Sequence, residues 1–165
     1  MRFDWKSLST LDRAVVGGAG VAFIAAFLPW YGATVGPFSV SVSGWSAGFT
    51  AWAGSLLLTA AGVLLVLRRS GVSFALPNIA PTVLVAGVAA LGLLLVIIRW
   101  ISFPRYHGAD VGARYGIYLA LIAGIVEVAA AVKEMRASGE PTPWTQAQPG
   151  GGTEMPPEAP AIPDE

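Results

Sequence analysis

The chain of 165 residues has no cysteine, which excludes disulfide staples, thiolate nucleophiles and cysteine-based metal sites. Charge is scarce too. Only 12% of the residues are Asp, Glu, Lys or Arg, about half of the roughly 25% usual in soluble domains, while 55% are hydrophobic. The single histidine, His107, has only Asp110 near it as a carboxylate, so it reads as a surface residue rather than a metal ligand. Also missing are a glycine-rich loop ending in Lys-Ser/Thr, an HExxH pair, a Ser-His-acid set and paired intramembrane carboxylates. Those absences remove the nucleotide-binding and hydrolytic constellations. No enzyme activity, no cofactor, no metal and no nucleic-acid partner is therefore expected.

The few charges are segregated. Formal net charge is zero, yet all ten Lys and Arg lie at or before Arg136. From Ala137 the sequence "ASGEPTPWTQAQPGGGTEMPPEAPAIPDE" holds seven Pro, four Gly and five acids. Such a segment buries too little apolar surface to offset its chain entropy, so 137–165 reads as a disordered, acidic cytoplasmic tail with Trp144 as its one recognition anchor.

What is abundant is apolar length. Four runs, 11–29, 48–67, 82–98 and 115–132, each approach the roughly 20 residues that cross about 30 Å of hydrocarbon. Arg2, Lys6 and Arg13 precede the first run as they would precede a signal peptide, but its apolar core is too long for one and no cleavage site follows, so it reads as a retained helix. Lys and Arg near the run ends set direction. With the N-terminus inside, Arg2, Lys6, Arg13, Arg68, Arg69, Lys133 and Arg136 lie inside, and only Arg99, Arg105 and Arg114 outside. The expected architecture is an all-α membrane protein: a four-transmembrane-helix bundle spanning residues 1–136, both termini cytoplasmic, in the cytoplasmic membrane.

Eight of the ten Trp and Tyr residues (Trp30, Tyr31, Trp45, Trp52, Trp100, Tyr106, Tyr115 and Tyr118) fall at the ends or in the loops assigned outside, where half-wetted rings anchor a protein at the interface. Each run also carries small residues at four-residue spacing: Ala14, Gly18, Ala22 and Ala26; Ala51, Ser55 and Thr59; Thr82, Ala86 and Ala90; Gly116, Ala120 and Gly124. Such faces let helices approach closely in lipid, where no hydrophobic effect drives them together.

One acid lies inside a run. Glu127 follows Gly124 by three positions and Ala123 by four, which points it into the bundle about 9 Å from the boundary marked by Lys133. An intramembrane acid is a functional-site candidate by default; here the readings are a structural pair with Arg13, Arg68 or Arg69 or a protonated, hydrogen-bonded carboxyl, a proton or ion relay, or a chance acid near the interface. Apart from Asp12 at the very start of the first run, no other run supplies an Asp, Glu, His or Lys as a second station. In the loop "WISFPRYHGADVGAR", Arg105 and His107 stand among aromatics, a setting that suits phosphate or glycolipid headgroups.

The segment "LPWYGATVGPFSVSVSGW" at 28–45 holds no charge. Pro29 ends the first helix, and Gly36-Pro37 divides two short runs, the second alternating Phe38, Val40 and Val42 with Ser39, Ser41 and Ser43. That period of two predicts a short extracytoplasmic β-hairpin between helices 1 and 2, its apolar side down on the helix ends, with Trp30 and Trp45 as interfacial anchors.

A first helix opening on Asp12-Arg13 and closing on "FLPWY", a loop closing on "SGWSAG", and a fourth run opening on Arg114, Tyr115 and Gly116 together resemble a group of small four-pass membrane proteins common in actinobacteria. The resemblance covers about 11–135 and implies topology and location, with no activity and no site residues. A looser resemblance, to claudin-like four-helix proteins, rests on Trp30 and Gly44-Trp45; the paired cysteines of those proteins are missing here, so it implies architecture alone. The expected function is structural, interaction or accessory-subunit in type, in contact with lipid and with either a membrane-protein partner or a second copy of the chain. The alternative is a small transporter, channel or proton-coupled component using Glu127.

Overall fold

A computed structural model describes residues 8–72, 79–102 and 110–140. Arg105, His107, Tyr106, Trp144 and the tail from 141 onward lie outside these residues.

Four helices run Thr10–Ala25 (α1), Phe49–Arg69 (α2), Pro81–Ile101 (α3) and Tyr115–Ser138 (α4). Three of them, α2, α3 and α4, are long and apolar enough to cross a membrane. The first is not: its 16 residues reach about 24 Å at 1.5 Å per residue, because the chain turns after Ala25 and enters a strand at Pro29. The helix expected over 11–29 therefore ends four residues early. At the other extreme α4 continues to Ser138 and closes on Gly139, whose φ of 62° is the left-handed C-cap that glycine supplies most cheaply. The expected boundary between bundle and tail at 136/137 thus falls inside the last turn of α4.

The helices pack in a ring, α1 against α2 and α4, α3 against α2 and α4. Ion pairs bring the N-termini of α1 and α3 together with the C-termini of α2 and α4, so the order is up-down-up-down. The interior is built of small side chains. Gly54 of α2 faces Gly92 and Val96 of α3 so closely that a Cβ on Gly54 would come within 3.0 Å of the Gly92 carbonyl oxygen, a contact only glycine permits. Most of the four-residue faces read from the sequence are buried, among them Gly18, Ala22, Ala51, Ser55, Thr82, Ala86, Ala120 and Gly124. Ala90 is exposed: the buried stripe of α3 runs Thr82, Val85, Ala86, Ala89, Gly92, Val96, the 3.6-residue period that follows a straight helix face.

At the end opposite the ion pairs sits a three-stranded antiparallel sheet in the order β2-β1-β3, from Pro29–Val35 (β1), Phe38–Ser43 (β2) and Asp110–Ala113 (β3). The expected hairpin is β1 with β2; its third strand comes from the segment before α4. A two-stranded hairpin is marginal alone, and β3 supplies the missing neighbour to β1 through the register Tyr31↔Ala113 to Thr34↔Asp110.

Candidate functional site

Three places in the bundle hold chemistry: the charged end, the middle of α4, and the space beneath the sheet.

At the charged end a network ties all four helices. Ser9 caps α1 by accepting from the Asp12 amide at 3.0 Å, and Asp12 reciprocates by accepting from the Ser9 amide at 3.1 Å, a capping box. The Arg69 guanidinium then donates to Asp12 at 2.9 Å and to Glu134 at 2.7 Å. Arg68 pairs with Glu140 at 2.6 Å, and Glu140 accepts from both the amide and the hydroxyl of Thr82. Burial pushes the Glu140 carboxyl up, but the Thr82 donors and the Arg68 charge outweigh it and hold the group below the usual glutamate range. Asp12 is 2% exposed. The sequence carried one signal for this cluster, the Ser9-x-x-Asp12 spacing ahead of an apolar run; the remaining partners are more than 50 residues apart and had none.

Glu127 is fully buried, at 0% exposure. Neither of its carboxylate oxygens has a hydrogen-bond partner among the described residues. It stands against α1, where a Cβ on Gly18 would come within 3.0 Å of its own Cβ. The expected pairing with Arg13, Arg68 or Arg69 does not form: neither Glu127 oxygen has a partner among the described residues, and the Arg68 and Arg69 guanidinia pair with the acids of the charged end. Among the described residues no cluster of three metal-ligating side chains occurs.

At the sheet end Trp30 is not the interfacial anchor expected of it. It is 0% exposed, and its indole N–H donates at 2.8 Å to the Ala25 carbonyl, which also accepts from the Leu28 amide at 3.1 Å, tying the ring to the last turn of α1. The ring fits only because Gly44 and Gly116 flank it, each so near that a Cβ would come within 2.8 Å. The backbone carbonyl of Trp30 accepts from the Arg114 amide at 2.8 Å, which sets the start of α4. Trp45 is half-buried and joins Phe23 of α1 and Phe27 of the turn that follows it, ring centroids 6.4 and 5.4 Å away.

Directly paired residues share a face of a sheet, and the register sorts the two faces cleanly. One carries Tyr31 and Ala33, Phe38, Val40 and Val42, Val111 and Ala113; the other carries Gly32, Thr34, Ser39, Ser41, Ser43 and Gly112. The apolar face was expected to lie packed on the helix ends. Instead Phe38 and Val40 are 76% and 68% exposed, and an open cleft of about 270 Å³ separates Val40, Val42, Ala33 and Val111 from Ala47 and Arg99. The reason is a single prop. The Tyr31 hydroxyl donates to the Arg99 carbonyl at 2.8 Å while the Arg99 guanidinium sits over the Tyr31 ring, 5.0 Å from its centroid, a cation–π contact. This pair holds β1 to the end of α3 and leaves the outer strand β2 cantilevered beyond it. Burial raises the Tyr31 phenol above its ordinary value, and the Arg99 charge offsets only part of that, so the hydroxyl remains a donor. Among the described residues Arg99 is the one charged side chain lining the cleft, and its Nε is buried without a partner. In the sequence it stood out only as an interface cation.

The chain matches no family model, no curated protein and no solved structure.

Proposed function

We propose that this protein is a multi-pass component of the cytoplasmic membrane, both termini cytoplasmic, acting without catalysis as an interaction or accessory subunit through its sheet end on the outer side. The observation that carries this reading is the open apolar face of the sheet. Exposed apolar surface grouped in this way marks a contact site, and here Phe38, Val40 and Val42 stand in a row on one strand. Three apolar helices long enough to span support the membrane setting; α1, packed between α2 and α4, is the short fourth span. The seven-to-three excess of Lys and Arg on the side of the charged end supports the direction.

Because the chain has no cysteine, topology is directly testable. In intact cells a membrane-impermeant maleimide should label Ser41→Cys and should reach Ala137→Cys only after lysis. The reverse pattern overturns the proposal. Purification from native membrane should then bring down a stoichiometric partner.

A second reading, a proton-coupled or ion-conducting component, is favoured by the unbonded, fully buried carboxyl of Glu127, since an ionisable group held inside a span without a partner is costly to keep. Its test is flux in proteoliposomes; flux that persists unchanged in Glu127→Gln rules out a role for that residue.

A further inference from the structure

We infer that the cleft beneath the sheet binds the headgroup of an anionic phospholipid of the outer leaflet, with the phosphate on Arg99 and the glycerol and first chain methylenes against the apolar roof. The inference rests on the outward orientation proposed above and names what the open face takes up.

Three observations converge on that occupant. The first is charge. A guanidinium offers five N–H donors in a planar fork that matches phosphate, and none of the three ion pairs among the described residues reaches Arg99, all three lying at the opposite end of the bundle. Its Nε is buried and unpartnered, and the side chain lines the cleft. The α2 helix begins beside it, with Gly48 the N-cap, no side chain capping the first turn and no acid in that turn. The positive end of α2 therefore adds to the Arg99 charge rather than cancelling it.

The second is depth. Arg99 lies in the last turn of α3, and around that end of the bundle Trp52, Trp100, Tyr115 and Tyr118 are exposed. Exposed Trp and Tyr of this kind sit at headgroup level, which places Arg99 where phospholipid phosphates lie.

The third is the shape and polarity of the space. A volume of about 270 Å³ equals about nine water-sized groups at about 30 Å³ each, the scale of a phosphoglycerol unit rather than of a folded partner. Its roof is mostly apolar, from Tyr31, Val40, Val42 and Val111, with Ser41 and Ser46 also lining the space. An inorganic anion would leave that roof wet, whereas the ester and first methylenes of a lipid cover it.

The test uses the full chain purified in neutral detergent, titrated with phosphatidylglycerol and separately with phosphatidylcholine, and read by native mass spectrometry and by thermal stabilisation. Saturable binding that prefers phosphatidylglycerol is expected. Arg99→Gln should weaken it about tenfold, as loss of a bidentate charge-assisted contact does, and Val40→Asp should weaken it as well. Arg114→Gln, which removes a cation of the same end that does not line the cleft, should not. Unchanged binding in both Arg99→Gln and Val40→Asp overturns the inference. So does equally tight binding of inorganic phosphate, or a photocrosslinker at position 40 that captures a protein rather than lipid in native membranes. Maleimide labelling that places Ser41→Cys on the cytoplasmic side fails the parent proposal; loss-free lipid binding in the variants fails this inference alone.

Discussion

A Cβ on Gly44 would come within 2.7 Å of Cε2 in the Trp30 indole. The two residues are 14 apart in the chain, and their contact seats the return of the first loop on the end of α1. Gly116 closes the other side, where a Cβ would meet Cδ1 of the same ring at 2.8 Å and the Pro29 carbonyl oxygen at 2.7 Å.

Gly44→Ala and Gly116→Ala should therefore each destabilise the bundle by about 1–3 kcal/mol, the range for overpacking a filled interior. Backbone stands on one side of each site, so the ring has no free direction in which to yield. Thermal unfolding in detergent measures this; a variant with an unchanged midpoint refutes the packing account.

The charged end predicts a pH dependence. Glu140 is held below its ordinary value of 4.5 in the folded protein, so its contribution to stability is complete above that value and is lost as the pH falls through the lower folded one. Glu140→Gln should lower the unfolding midpoint at pH 7 by a few degrees, about 1 kcal/mol for a charge-assisted contact of this kind. The gap between variant and parent should close as the pH falls below 4.5 and through the lowered folded value. A gap constant across the titration refutes the assignment.

Glu127 predicts the opposite sign. A buried polar group without a partner costs about 1–3 kcal/mol, more when charged. Glu127→Met, which fills similar space with apolar atoms, should raise the unfolding midpoint, about 2–4 °C for each kcal/mol gained. A gain in stability with loss of flux in proteoliposomes would be the exchange of stability for activity expected at a working site. A fall in the midpoint would mean that the carboxyl has a structural partner.

For the sheet, Val40→Asp and Ser41→Asp should both leave folding stability within about 0.5 kcal/mol, as exposed substitutions do, because both positions are exposed. An apolar face packed down on the helix ends, as the alternation implied, would instead make Val40→Asp disturb the hairpin and Ser41→Asp not. In lipid titration both should weaken binding, since Val40 and Ser41 both line the cleft with Arg99 and either substitution places a carboxylate there. Unfolding of the Val40→Asp protein at ambient temperature would mean that β2 packs on the helix ends after all.

Much of this molecule is written locally. Apolar runs of fixed length give α2, α3 and α4, the Ser9-x-x-Asp12 spacing gives the start of α1, Gly36-Pro37 gives the turn between β1 and β2, and period-two alternation assigns Phe38, Val40 and Val42 to one face. Each is a property of a few adjacent residues, set by helix rise, strand pleat or turn geometry. What only the tertiary structure decided is where those surfaces meet. The pairing of β3 with β1, the burial of Trp30 between Gly44 and Gly116, the engagement of Arg68 and Arg69 that leaves Glu127 unbonded, and the prop of Tyr31 on Arg99 that holds the cleft open all join residues far apart in the chain. Periodicity tells which side of a strand is apolar, but whether that side is covered depends on the distance to the next layer, and the Tyr31–Arg99 contact sets that distance.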